Sequence, residues 1–236
     1  MKTFIYPSAI ETARALILHL ITQMVNEPDK IFNIAFSGGN TPFLMYDLWA
    51  NEYKDATPWE RMRIYFVDER CVPPENSESN YGVMRSLLLS VVPVSYSHVY
   101  PIRGQGKPEK EAERYSKLVE SQVPMPKEWP VFDIVLLGAG EDGHTSSIFP
   151  GQEYLLTSSQ VYEATFNPDN GQKRIAMTGV PILSASKVIF LITGKAKANV
   201  VEEIYRFGDT GPASYIAHHA TNVELFLDGS AAKLIS

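Results

Sequence analysis

An aspartate and a histidine stand two residues apart, Asp142 and His144, inside a turn that also holds Gly138, Gly140 and Gly143. A carboxylate beside an imidazole can hold a general base in one orientation, and neutral imidazole titrates near the operating pH. The glycines allow tight turns and close approach of backbone to a ligand. Upstream, Phe132-Asp133-Ile134-Val135-Leu136-Leu137 is an apolar run with Ile and Val. That is the pattern of a strand buried on both faces of a parallel sheet. In open α/β sheets ligands bind beyond the carboxyl ends of the strands, where this turn falls. A structural histidine is the competing reading, but the glycine turn and adjacent carboxylate favour a reaction centre.

Three other segments carry chemistry. Ser37-Gly38-Gly39-Asn40-Thr41 leaves a buried strand and enters a helix. Free backbone N–H groups and the helix dipole make such a turn an anion site, although a plain βα turn uses the same residues. Asp68-Glu69-Arg70 follows the strand Arg63–Val67. Three consecutive charges are expected at the surface, and neighbouring Cys71 is read as a small buried hydrophobe rather than a nucleophile. Arg174 and Lys197, converging on the Ser37–Thr41 turn, would complete a phosphate pocket; taken singly they are solvated charges.

Other features are set aside. His19 is structural or solvated, and His218 with His219 lacks an obvious third ligand, so no metal is expected. Gly138 to Gly143 is formally G-x-G-x-x-G after a strand, the dinucleotide fingerprint. Glu141 and Asp142 within it would repel a pyrophosphate, and Pro150-Gly151 cuts off the long helix that should follow. No cofactor is expected.

The elements that must position these loops are legible as pattern. Strands are expected at 2–6, 31–36, 63–67, 132–137, near 160–165 and 173–178, at 187–192 and at 222–227. Ser8-Ala9-Ile10-Glu11 reads as a capping box opening a helix, with Ile10, Ala13, Ile17, Leu20, Ile21 and Met24 on one face. Pro42 suits the first turn of a helix running to about Ala50. Asn80 is expected to cap a helix to about Leu89, and further helices are expected over 108–122 and 196–206. Strands alternating with helices predict parallel strands with right-handed crossovers. The expected fold is α/β, a three-layer α/β/α sandwich with a mainly parallel, Rossmann-like sheet. No repeat or linker divides the chain, so 1–236 is expected to be a single domain.

Composition sets the setting. The chain has 236 residues and a formal net charge of −6, which argues against a nucleic-acid partner. A local cluster of Arg and Lys can still receive an anion. The single cysteine suits a reducing compartment. No signal-peptide pattern and no apolar run of about 20 residues occurs, so a cytoplasmic protein with no membrane contact is expected.

Together these motifs resemble the 6-phosphogluconolactonases, of the glucosamine-6-phosphate isomerase/6-phosphogluconolactonase superfamily. The matching pieces are Ser37-Gly38-Gly39-Asn40-Thr41-Pro42, Val67-Asp68-Glu69-Arg70-Cys71-Val72-Pro73 with Ser79-Asn80-Tyr81, Gly138 through Gly151, Arg174, and Gly194 with Lys197. They appear in family order across nearly the whole chain. The sister deaminases typically carry Asp-Glu-Tyr where this chain has Asp68-Glu69-Arg70. They also carry a ring-opening glutamate that has no counterpart after His144. Ser146 stands where the lactonases commonly have alanine. The resemblance implies hydrolysis of 6-phospho-D-glucono-1,5-lactone, a sugar-phosphate lactone, by a monomer or homodimer. His144 would be the base, with Asp142 or Asp68 orienting its ring. Arg70 or backbone N–H groups would stabilise the oxyanion. Ser37, Gly38, Gly39, Asn40, Thr41, Arg174 and Lys197 would hold the phosphate. A deaminase-type enzyme and a non-catalytic sugar-phosphate binder are the alternatives.

Overall fold

The computed structural model describes residues 1–236. In chain order the elements are β1 (Lys2–Tyr6), α1 (Ala9–Asn26), β2 (Phe32–Phe36), α2 (Asn40–Glu52), β3 (Met62–Phe66), β4 (Asp68–Arg70), α3 (Asn80–Met84) and α4 (Pro108–Gln122). They continue as β5 (Ile134–Leu137), β6 (Tyr162–Phe166), β7 (Lys173–Met177), α5 (Gly179–Ser184), β8 (Val188–Ile192), α6 (Ala198–Arg206), α7 (Pro212–His219) and β9 (Val223–Asp228). No helix is long and apolar enough to cross a membrane.

Six strands form one all-parallel sheet in the order β1-β9-β8-β5-β2-β3. Every residue of β2, β5, β8 and β9 is buried, as in a sheet covered on both faces. This is the expected three-layer, mainly parallel arrangement. The order changes direction at its centre: from β2 the chain moves outward to β3, and from β5 it moves the other way to β8 and β9. The carboxyl ends of β2 and β5 therefore lie side by side at a switch point, where a crevice opens.

Val67 is where the chain changes sheets. Its N–H donates to the Phe36 carbonyl at the end of β2 (2.9 Å), while its own carbonyl accepts from Met177 N of β7 (2.7 Å). β4 then joins a small antiparallel sheet of order β4-β7-β6. This sheet departs from the strict alternation of strand and helix. β6 and β7 are a hairpin, which needs no crossover helix. The edge strand β3 has its last residue satisfied by side chains: Phe66 N donates to Tyr115 Oη (3.2 Å), and Tyr162 Oη donates to Phe66 O (2.8 Å). Two buried tyrosines thus supply the partners that a missing strand would have given.

Local signals explain most elements. Ser8 caps α1, its Oγ accepting from Glu11 N (3.3 Å). Ala13, Leu16, Ile17, Leu20, Ile21 and Met24 are buried along one stripe. Ile10 was expected there but is 44% exposed, because it sits in the first turn, ahead of the packed stripe. The cap of α3 is Ser79 rather than Asn80; Ser79 Oγ accepts from Gly82 N (3.0 Å). Asn80 is freed to bond Asp68, its Nδ2 donating to the main-chain oxygen (2.9 Å) and to Oδ1 (3.2 Å). Past Met84 the helix widens into a π turn over Arg85–Leu89.

The main correction concerns Asp68-Glu69-Arg70. Asp68 is 6% exposed and Glu69 only 1%, where surface charges were expected. Glu69 is tolerated because donors converge on it: the N–H groups of Arg70 (2.8 Å), Asn80 (2.7 Å) and Tyr81 (2.9 Å), and the Ser79 hydroxyl (3.0 Å). Burial pushes its pKa up in spite of the three backbone donors. Glu69→Ala is expected to lower the unfolding free energy by about 3 kcal/mol or more, because it strands several buried donors at once. Urea unfolding followed by tryptophan fluorescence measures this; a loss under about 1 kcal/mol would show that water replaces the carboxylate.

Candidate active site

The crevice at the switch point is a cavity of about 360 Å³. Ser37, Gly38, Gly39, Asn40, Thr41, Asp68, Arg70, His144, Arg174 and Lys197 all line it. Asp142 is the one expected site residue that does not line it; it reaches the site through its bond to the His144 ring. Among the residues not singled out from sequence, Ser147, Phe149, Asn167 and Thr193 also line it.

One end is a turn with unused donors. Ser37 is pinned to β5: its N–H (3.1 Å) and its Oγ (2.8 Å) both donate to Leu136 O. Tyr46 Oη donates to the Ser37 carbonyl (2.7 Å). Gly39 takes φ 106°, a left-handed backbone that favours glycine, and α2 begins at the next residue. The first N–H groups of α2 have no partner within the helix. Gly38 is needed for a different reason: a Cβ there would lie 1.7 Å from Asn80 Oδ1. Thr41 Oγ1 meets Thr193 Oγ1 at 3.0 Å and ties this turn to the segment after β8. That segment ends in Lys197, whose N–H donates to Gly194 O (3.0 Å).

The second wall is basic. Arg70 and Arg174 are directly opposite each other across β4 and β7. Like charges so placed repel. Arg174 is only 8% exposed; burial lowers its pKa, with Arg70 adding to the effect and Asp68 opposing it. Arg70 Nη1 donates to Glu78 O (2.8 Å), but the buried Nε of each arginine has no partner. Two guanidiniums with unused donors facing one cavity can receive an anion.

The third part is the glycine turn after β5. His144 Nδ1 lies 2.6 Å from Asp142 Oδ1, which also accepts from His144 N (3.2 Å). A carboxylate partner assigns the proton to Nδ1, leaving Nε2 as the basic nitrogen. Asp68 does not orient the ring; its Oδ2 accepts from Ser147 Oγ at 2.5 Å. Gly140 makes the dyad possible, since a Cβ there would lie 2.1 Å from His144 Nδ1 and 2.2 Å from Asp142 Oδ1. Gly140 N donates to His144 O (2.8 Å), and Ala213 N of α7 donates to Gly143 O (2.9 Å), which braces the turn from behind. The His144 ring packs against Phe149, with centroids 4.5 Å apart. Ser146 has φ 56°, and no other non-glycine residue has positive φ. Its Oγ donates to Met177 O (3.1 Å), joining the glycine turn to the small sheet.

The remaining candidates lie elsewhere. Cys71 does not line the cavity, and burial pushes its thiol up to about 11, so it is not a thiolate nucleophile at neutral pH. His19 Nε2 pairs with Glu224 (2.8 Å). His218 and His219 bond different main-chain carbonyls, those of Ile204 and Tyr215. No helix follows Gly143 directly, so the G-x-G-x-x-G spacing does not build a dinucleotide turn. The Ser147–Asp68 bond carries no sequence signal, because the two residues are 79 positions apart, and nothing in the sequence singles out Asn167.

Comparisons with known proteins agree on one family. The family model described as Glucosamine-6-phosphate isomerases/6-phosphogluconolactonase matches residues 7–225. The chain is 36% identical to the 6-phosphogluconolactonase of Treponema pallidum, over 82% of this chain and 81% of that one. It is 32% identical to the 6-phosphogluconolactonase of Haemophilus influenzae, over 92% and 91%. Among solved structures it superposes on 6-phosphogluconolactonase from Trypanosoma brucei with TM-score 0.88 and 27% identity, covering 100% of this chain and 98% of that one.

The dyad has a pH signature. Burial works against the Asp142 carboxylate, but the hydrogen bond and charge of His144 hold its pKa below the ordinary 3.8. A depressed carboxyl contributes stability above its ordinary pKa and loses it as pH falls through the folded value. NMR titration of Asp142 should therefore show a midpoint below the ordinary value, and Asp142→Asn should flatten the acid limb of the stability curve. A midpoint at or above the ordinary value would mean that the pair is open in solution.

Proposed function

We propose that this chain, which belongs to the glucosamine-6-phosphate isomerase/6-phosphogluconolactonase family, is an enzyme that hydrolyses 6-phospho-D-glucono-1,5-lactone with His144 as general base. The support is spatial. A base held by Asp142 and a cradle for a dianion, built from Ser37–Thr41, Arg174 and Lys197, open into the same cavity.

The steps follow from the groups present. The phosphate sits on the Ser37–Thr41 turn with Lys197 and Arg174, and its binding energy fixes the lactone carbonyl beside His144. A water lies between Nε2 and C1. As its oxygen bonds to C1, its proton passes to Nε2, and Asp142 stabilises the imidazolium that forms. Negative charge gathers on the former carbonyl oxygen. Arg70 and the N–H groups around the glycine turn are the donors within reach of the same cavity. Collapse breaks the bond between C1 and the ring oxygen, and the imidazolium returns its proton to that oxygen. The product is 6-phosphogluconate, the acid that the oxidative pentose phosphate pathway carries forward. A lactone carbonyl is reactive enough that neither metal nor covalent nucleophile is required. In this reading the whole chain acts as one domain, in the cytoplasm, as a monomer or homodimer.

Lactone hydrolysis by purified protein, corrected for the spontaneous rate, tests this. His144→Ala is expected to lower kcat by about 10²–10⁴-fold. Arg174→Ala or Lys197→Ala should act mainly on KM. Unchanged turnover in His144→Ala removes that residue from the mechanism, and unchanged KM in both cation variants moves the phosphate elsewhere. Ammonia release from glucosamine 6-phosphate would point to the sister activity instead.

A further inference from the structure

The mechanism gives no task to Asn167, a polar residue of the cavity wall. Asn167 lines the cavity and belongs to the turn between β6 and β7. Its Oδ1 accepts from Asp169 N (2.9 Å). Its main chain is held too: Asn167 N donates to Gln172 O (2.9 Å), and Asn167 O accepts from Gly171 N (2.8 Å). Because a backbone N–H can only be met by the amide oxygen, the two ends of the side chain are not interchangeable. Oδ1 is occupied, and Nδ2 is left with two N–H donors.

The strand register places those donors. Thr165 is opposite Arg174, and Arg174 is opposite Arg70. Asn167 is two residues beyond Thr165, so the period of the strand puts it on the face that carries both arginines. Thr165 Oγ1 donates to Gln152 Oε1 (2.6 Å), and Gln152 N donates to Phe149 O (2.9 Å). The Phe149 ring in turn packs on His144. Asn167 therefore stands on the rim that joins the basic wall to the base. An uncharged donor suits a neutral acceptor there, while the charged groups of the site serve the phosphate and the developing oxyanion.

We infer that Asn167 Nδ2 donates to a ring hydroxyl of the bound sugar lactone and is a specificity-determining residue. This rests on the lactonase reading above. The probes are the parent lactone and its 2-, 3- and 4-deoxy analogues, assayed with wild type, Asn167→Asp and Asn167→Ala. Asn167→Asp keeps an oxygen for Asp169 N and removes the donor. It should lose about tenfold in kcat/KM on the parent lactone with an unchanged unfolding midpoint. In wild type, one deoxy analogue should fall by a similar factor. In Asn167→Ala that one penalty should vanish while the other two persist. If all three penalties persist in Asn167→Ala, no hydroxyl is read by this amide and the inference is overturned. A wild type inactive on the parent lactone overturns the lactonase reading, and this inference with it.

Discussion

The structure depends on where it puts positive charge. Arg70 and Arg174 face each other across two paired strands, one of them nearly excluded from water, and neither forms an ion pair within the chain. Repulsion and lost hydration both disfavour that arrangement. Asp68, buried close by, offsets part of it. Glu78 and Glu69 offset a further part, and an anion bound in the cavity would add to it. Preorganisation of this kind is what a phosphate site requires, since the donors need not be gathered when the ligand arrives. The cost is carried by the fold, through Glu69 and Asn80, which lock the segment that bears Arg70.

Charge placement also explains the two sheets. A single parallel sheet would bring the Ser37–Thr41 turn, the glycine turn and the Lys197 segment to one edge. It would not supply a wall facing them. The change of sheet at Val67 supplies it, because β4 leaves the large sheet within one residue of β3 and pairs with β7. Met177 N and Ser146 Oγ then bind the small sheet back to Val67 and to the glycine turn after β5. The separation of the Ser37–Thr41 turn and His144 is thus set by main-chain bonds and one short hydroxyl rather than by long side chains. A sugar phosphate spanning the cavity would meet a fixed frame, which is the condition for remote binding energy to act at the reacting carbon.

The sequence was informative where function needs unusual backbone. Gly39 and Gly143 take positive φ, and Gly140 and Gly38 have no room for a Cβ. These demands leave glycines beside apolar strands, a pattern readable without coordinates. The strands themselves were readable because burial on both faces gives continuous apolar runs. What could not be read were long-range polar pairings. Asp68 and Glu69 look like surface charges, because the donors that make their burial tolerable come from Ser79, Asn80 and Tyr81 or from Ser147. The short helices α5 and α7 are silent in the sequence for another reason: six and eight residues give too few turns for periodicity to speak. From sequence Asn80 reads as the cap because Ser79 and Asn80 are both good caps, and only the pull of Asp68 decides between them.

That pull links the two ends of the site. Asn80 donates to Asp68 and lies against Gly38, where any side chain would collide with it. Asp68 in turn accepts from Ser147, three residues after His144. A continuous set of contacts therefore runs from the Ser37–Thr41 turn, through a buried carboxylate, to the segment that follows His144. Asp68 is neither the partner of the imidazole nor a free charge awaiting substrate. Its position suits a hub that keeps both loops in register and tempers the field of the arginines. A neutral residue of the same shape could keep the bonds but not the charge, and a charged residue of another length could keep the charge but not the bonds. Both requirements fall on one side chain, so the short carboxylate at this position follows from geometry and electrostatics together.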